Sequence, residues 1–146
     1  MADLYGQHTY QLDPKGRISL PTRMRAAFAD GAYLTLGHDG CLFAFPKEEW
    51  ERQRQEIRGP LFDSDTRAYA RMFFGNAEPV DLDSQGRLLV PQRLRGRAGI
   101  GRDAVVLGVG DHMEIWERDT YERYEQANLG AYQAGTLHPT REGGSR

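Results

Sequence analysis

The chain has 146 residues, of which 39% are hydrophobic, 10% aromatic and 27% charged, with a formal net charge of −2. That length fits one compact domain or two small halves sharing a core, and the apolar and aromatic content excludes wholesale disorder. No apolar run approaches the roughly 18 residues of a membrane span, and the start Met1-Ala2-Asp3-Leu4-Tyr5-Gly6 lacks the basic and apolar regions of a signal peptide, so a cytoplasmic location is expected.

In chain order, the first element is a short alternating strand with Tyr10 and Leu12 inward. It runs into the turn Asp13-Pro14-Lys15-Gly16. There the Asp13 side chain can accept from backbone N–H groups ahead, Pro14 presets φ and Gly16 permits a positive φ. A second strand leaves through Arg17 with Ile18 and Leu20 inward, so the two strands are expected to pair as a hairpin. Pro21 stands where a short helix starts, Met24 and Phe28 form its buried i, i+4 pair, and Gly31 ends it. Another hairpin turns at His38-Asp39-Gly40 and returns through Cys41-Leu42-Phe43-Ala44-Phe45, where the single cysteine is expected to be a buried small hydrophobe. Pro46-Lys47-Glu48-Glu49-Trp50 opens a helix with Trp50 and Ile57 on one face, broken at Gly59-Pro60. Asp63-Ser64-Asp65 caps a further helix with Tyr69, Met72 and Phe73 at helical spacing, ending near Gly75-Asn76.

From here the chain repeats itself. Tyr10–Arg25 lies over Val80–Arg95 at an offset of 70 residues, with Leu12/Leu82, Asp13/Asp83, Gly16/Gly86, Arg17/Arg87, Pro21/Pro91, Arg23/Arg93 and Arg25/Arg95 identical. After one inserted residue, Leu34–Gly37 matches Val105–Gly108 and Leu42–Phe45 matches Met113–Trp116. The copy therefore predicts a strand with Val80 and Leu82 inward, a turn at Asp83–Gly86, and a strand with Leu88 and Val90 inward. A short helix with Leu94 and Ala98, a Gly99 stop and a hairpin at Gly110-Asp111-His112 follow. Asp119-Thr120 leads a closing helix with Tyr121 and Tyr124. The expected domains are a first half at 1–75, a second half at 76–134 and a flexible tail at 135–146. Each half is near the size where a core is marginal, so the two are expected to pack as one pseudo-symmetric unit.

The net charge alone argues against a polyanion partner, but its distribution does not. Lys15, Arg17, Arg23 and Arg25 face only Asp13 within residues 13–25, and Arg87, Arg93, Arg95, Arg97 and Arg102 face only Asp83 within residues 83–102. Two basic islands in an otherwise acidic chain can focus a positive field on one face.

Asp13–Arg25 and Asp83–Arg95, together with Gly40–Trp50, closely resemble the bacterial MraZ family and, more distantly, the AbrB-like regulators. The resemblance covers roughly residues 1–130. It implies a β-rich α+β fold, a double swapped-hairpin (AbrB-like) barrel of two tandem half-repeats with added helices. It also implies a ring-shaped homo-oligomer that binds repeated short sites on double-stranded DNA, nucleoid-associated, repressing the division and cell-wall gene cluster. Two departures from strict repetition stand out. Pro14-Lys15 is replaced by Ser84-Gln85, which makes the first turn the more basic, and the helix at 63–75 has no counterpart.

Arg17 and Arg87 follow the turn glycines as the first outward residues of their strands, from where a guanidinium reaches phosphate or the guanine O6/N7 edge. The bland alternative is a solvated arginine pairing with Asp13 or Asp83 across its own turn, worth little. Arg23, Arg25, Arg93 and Arg95 are expected on the exposed side of the short helices, contacting phosphates, with Lys15 assisting Arg17. Asp13, Gly16, Asp83 and Gly86 form the turns. His8, His38, His112 and His138 are scattered without metal-ligand spacing, Ser19 has no matching His-Asp arrangement, and no helix start follows Gly37–Gly40 or Gly108–Gly110. No enzyme, metal, cofactor or small-molecule substrate is expected. An oligomeric protein-interaction scaffold and an AbrB-like antitoxin are the alternatives, the complete second repeat speaking against the latter.

Overall fold

In the computed structural model, which describes residues 3–57 and 62–140, the strands on either side of each Asp-x-x-Gly-Arg turn do not pair with each other. The elements are β1 Leu4–Gln11, β2 Arg17–Ser19, α1 Thr22–Arg25 with a 3-10 turn Ala26–Phe28, β3 Ala32–Leu36, β4 Leu42–Pro46, α2 Lys47–Glu56 and α3 Ser64–Gly75. The second half supplies β5 Glu78–Val80, β6 Arg87–Leu89, α4 Gln92–Ala98, β7 Asp103–Gly110, β8 Met113–Glu117 and α5 Arg118–Gln133. Both hairpins expected around Asp13–Gly16 and Asp83–Gly86 are therefore corrected. The turn bonds reach only as far as Asp13 N–H to Arg17 O (3.0 Å) and Asp83 N–H to Arg87 O (2.9 Å). Beyond them the chain divides between two layers, and each strand finds its partner in the other half.

The exchange is reciprocal. β1 pairs antiparallel with β7, and β5, its repeat counterpart, pairs with β3, the counterpart of β7. β4 and β8 meet at the centre, giving one six-stranded sheet in the order β1-β7-β8-β4-β3-β5, while β2 and β6 form a separate two-stranded ribbon. Exchanging the two halves leaves both orders unchanged. Among the described residues no ladder joins β1 to β5, so the six-stranded sheet stays open rather than closing into a barrel.

The later hairpins form as their residues dictate. β3 turns into β4 through Asp39 and Gly40, both at positive φ (62° and 94°), the backbone that a tight hairpin requires. β7 and β8 join through Asp111 and His112. Pro21 and Pro91 sit one residue outside the helices they introduce, and Gly99 ends α4 at φ 67°. Asp63 caps α3 by accepting from the Thr66 N–H at 3.0 Å. α5 is capped by Glu117 rather than by Asp119, its carboxylate accepting from the N–H groups of Asp119 and Thr120 at 2.9 Å. The Gly59-Pro60 break and the last six residues of the tail lie outside the described residues.

Two apolar clusters flank the sheet. Alternation along β4 sends Leu42 and Ala44 to one cluster and Phe43 and Phe45 to the other, and along β7 Val106 goes to the first and Val105 to the second. A strand buried on both faces reads as a continuous apolar run, which is why 41–45 shows no polar alternation. The first cluster holds Ile18, Leu20, Met24, Phe28, Leu88, Val90 and Leu94, the inner surface of the β2–β6 ribbon and its two short helices. The second is aromatic. Trp50 stacks on Tyr33 and Phe73 at 5.1 and 5.4 Å between ring centres, beneath α2 and α3. Of the α3 face expected to be apolar, Phe73 is buried, whereas Tyr69 and Met72 remain exposed. Cys41 is buried, donates its thiol to the His38 carbonyl (3.2 Å), and is pushed well above the ordinary thiol range by burial and then by Glu114 and Asp39. It is thus an inert hydrophobe.

Gly6 faces Gly108 across the β1–β7 ladder, and a Cβ on Gly108 would overlap the Leu4–Tyr5 backbone. Gly108→Ala should lower stability by about 1–3 kcal/mol, read from the denaturant midpoint. Gly101→Ala, whose Cβ would face open space, should stay within about 0.5 kcal/mol of the parent.

Candidate nucleic-acid interface

The two Asp-x-x-Gly-Arg turns have the same internal geometry. Asp13 Oδ1 accepts from the N–H groups of Lys15 and Arg17, both at 2.9 Å, and Gly16 N–H closes the turn on Asp13 O at 2.9 Å. Asp83 Oδ1 accepts from Gln85 and Arg87 at 2.9 Å, and Gly86 N–H reaches Asp83 O at 3.0 Å. Gly16 and Gly86 take φ of 85° and 75°, which only glycine adopts without strain. The second carboxylate oxygen then holds the arginine, with Arg17 Nε to Asp13 Oδ2 and Arg87 Nε to Asp83 Oδ2 both at 2.7 Å. Pairing within the turn and service at an interface are therefore compatible. Each turn's own aspartate bonds only Nε, which leaves the terminal guanidinium nitrogens with donors to spare, although Arg87 Nη1 also comes within 3.9 Å of Asp13 Oδ2. Hydrogen bonds from the Arg17 and Arg87 N–H groups, opposed by partial burial and reinforced by the guanidinium bonds, hold both carboxyls below the ordinary carboxylate range. Both aspartates stay ionised at neutral pH.

The β2–β6 ribbon brings the turns together. Arg17 lies opposite Leu89, Ile18 opposite Leu88 and Ser19 opposite Arg87. Leu20 N–H donates to Gly86 O (3.2 Å) and Val90 N–H to Gly16 O (2.9 Å), so each strand continues onto the other half's turn glycine. Ile18 and Leu88 point into the core, leaving Arg17, Ser19, Arg87 and Leu89 on the outward face. The two arginines are neighbours there, Arg87 Nη1 lying 3.9 Å from Asp13 Oδ2.

The remaining basic residues divide into three groups. Arg25 and Arg95 are half-buried rather than exposed. Each donates Nε to a ribbon carbonyl, Leu20 O and Val90 O respectively, at 2.9 Å. Each also covers the turn glycine of the opposite half, so a Cβ on Gly86 would strike Arg25 and one on Gly16 would strike Arg95. These two arginines lock the halves together. Arg23 bonds Tyr5 O and approaches His8 Nε2, both at 3.2 Å, with its guanidinium 5.3 Å over the Tyr5 ring. Its counterpart Arg93 lies exposed with no polar partner among the described residues. Lys15 is also exposed, at the tip of the first turn. Ser19 and Leu89 also belong to the face, although neither was assigned a binding role from sequence. The alternation that turns Ile18, Leu20, Leu88 and Val90 inward already places both outward, but that they share one face depends on a pairing between segments 70 residues apart.

No group of three or more His, Cys, Asp or Glu side chains forms a metal-binding cluster among the described residues. No helix of the described residues is long and apolar enough to cross a membrane.

A family model described as "MraZ protein, putative antitoxin-like" matches the chain twice, over residues 4–72 and 73–134. Among curated proteins, the chain is 39% identical over 129 residues to a transcriptional regulator MraZ of Heliobacterium modesticaldum, covering 88% of this chain and 90% of that protein. It is 40% identical to one of Pelotomaculum thermopropionicum over 88% and 89% of the two chains. An Acidovorax protein of the same name is 43% identical over 86% and 90%.

The depressed carboxyls of Asp13 and Asp83 give the turns a pH signature. Their contribution to stability is complete above the unfolded aspartate value, about pH 4, and is lost as pH falls through the lower folded values. The Asp13→Asn, Asp83→Asn double variant should therefore be less stable than the parent at pH 6, with the difference shrinking towards pH 2 in denaturant melts.

Proposed function

Since the chain belongs to the MraZ family of transcriptional regulators, a family of regulators and not of enzymes, we propose that it acts by binding double-stranded DNA through the outward face of the β2–β6 ribbon and its two flanking turns. The observation that carries this reading is the pair of guanidinium groups, each fixed through Nε by its own aspartate, side by side on a two-stranded antiparallel ribbon. A ribbon of that kind fits the major groove, and an arginine whose terminal nitrogens are free can bond guanine O6 and N7 in bidentate fashion. Anchoring Nε removes much of the side-chain entropy that such a contact would otherwise cost.

Within this reading the seven basic residues have different work. Arg17 and Arg87 contact base edges, Lys15 and Arg93 supply phosphate contacts without sequence information, and Arg25 and Arg95 shape the face from behind. Arg23 holds β1 beside it. The reciprocal strand exchange supports a swapped-hairpin ancestry for the two halves, here opened into a sheet and a ribbon rather than closed as a barrel. The division proposed is a first half at 1–75, a second at 76–134 and a tail beyond.

The finer biology rests on the family resemblance: a cytoplasmic, nucleoid-associated, ring-shaped homo-oligomer that represses the division and cell-wall gene cluster from repeated short sites. One such face binds weakly, so several faces on one assembly engaging several repeats supply the specificity.

Replacing Arg17 and Arg87 together with Ala should weaken binding to the DNA upstream of this chain's own gene by at least about 30-fold at moderate salt, since each bidentate pair is worth roughly 1–3 kcal/mol. The sedimentation profile should be unchanged. Unaltered affinity would refute the assignment, and absence of any DNA binding by the parent at low salt would favour the scaffold reading. A steep fall of affinity with salt is expected of the parent.

A further inference from the structure

The DNA reading leaves an exposed aliphatic side chain without a task. Leu89 is 42% exposed on the outward side of β6, while its neighbour Leu88 is wholly buried and already supplies that strand's core contact. The bonds at Leu20/Gly86 and Val90/Gly16 place the intervening Arg17/Leu89 and Ser19/Arg87 pairs at the non-hydrogen-bonded positions of the ladder, where directly opposite side chains lie closest. The outward face is thus a four-cornered plate. The pseudo-two-fold axis relates Arg17 to Arg87 across one diagonal and Ser19 to Leu89 across the other.

The two ends of the arginine diagonal match in the 2.7 Å bond to the aspartate and in the arginine packed behind the turn glycine, and differ in the 3.9 Å approach of Arg87 Nη1 to Asp13 Oδ2. A plate carrying only that diagonal would bind a duplex equally well in either orientation. Ser19 and Leu89 break the tie. Serine can donate to or accept from either kind of base edge and so discriminates little, whereas an aliphatic group held beside a guanidinium in the major groove meets one distinctive apolar feature, the C5-methyl of thymine.

We infer that Leu89 is a specificity-determining residue of the DNA face, selecting a thymine methyl beside one of the two arginine contacts and thereby fixing the orientation of the chain on its site. This rests on the DNA reading above. Turn composition supplies a second asymmetry, Lys15 against Gln85, but a phosphate contact strengthens one end without naming a base. Repeated sites in a common direction need such a polarity, because a face that binds both ways round cannot tell one direction of repeat from the other.

The test is selection from a random duplex library with the full chain, its Leu89→Ser variant, which makes the diagonal symmetric, and its Ser19→Leu variant, which adds a leucine at the mirror position. The parent should enrich an unequal sequence with thymine on one side. Replacing that thymine by uracil should weaken parent binding about fourfold, the worth of one buried methyl group. Leu89→Ser should lose both the thymine preference and the sensitivity to uracil, and Ser19→Leu should gain a thymine preference at the mirrored position. An enriched sequence and uracil sensitivity unchanged in Leu89→Ser, or a Ser19→Leu variant selecting the parental sequence, would overturn the inference while leaving the DNA reading intact. A parent that enriches no sequence and binds no duplex at low salt would overturn both.

Discussion

The structure depends on a reciprocal lock between the two turns. Each turn glycine receives a backbone bond from the strand of the other half, Leu20 N–H to Gly86 O and Val90 N–H to Gly16 O, and each is covered by the other half's arginine, Arg25 or Arg95. Those arginines in turn bond the carbonyls of Leu20 and Val90, which end the ribbon strands. Each turn closes on its own aspartate, but the short strand that follows it pairs only with the other half. A three-residue strand makes too few hydrogen bonds to persist by itself, and its inner row, Ile18 or Leu88, finds cover only when the other half is present. Proximity of Arg17 to Arg87 is a consequence of the same lock.

The layers separate the aromatic core from the outward ribbon face. The aromatic cluster under α2 and α3 lies on the far side of the sheet from the ribbon, and the aliphatic cluster fills the space between. Substitutions in the aromatic layer therefore act on the ribbon only through the sheet. The outward face is left to four side chains and two turns. Arginines that a sequence pattern treats as equivalent have been given opposite tasks by this layering. Arg17 and Arg87 stand on the outward face with Nε on their own aspartates, whereas Arg25 and Arg95 donate Nε to backbone carbonyls.

Much of the local structure was legible in the residues. Asp13 and Asp83 accept from the backbone as Asp at a turn's first position should, and Gly16, Gly86 and Gly99 take the positive φ their positions require. Met24, Phe28 and Leu94 are buried, the 38–40 and 110–112 turns join paired strands, and Asp63 caps α3. These features depend on neighbours a few residues away. The errors share an opposite cause. Pairing β1 with β2 was the economical local choice, but β1 pairs with β7 and β2 with β6, and the inner residues Ile18 and Leu88 join one core cluster built from both halves. The helix expected to be led by Asp119-Thr120 starts at Arg118, and its cap is Glu117, the last residue of β8, which no local helix pattern marks.

By itself the sequence determined that the chain is a duplicated, β-rich unit with two basic turns, since a repeat at fixed offset and the Asp, Gly and Arg of each turn act through short-range geometry. Only the tertiary structure decided that the halves exchange strands, that Arg25 and Arg95 brace while Arg17 and Arg87 present, and that Ser19 and Leu89 share their face. Those outcomes hang on contacts between segments 70 residues apart, where burial of two inner rows at once outweighs any local preference, and no periodicity along one half records it.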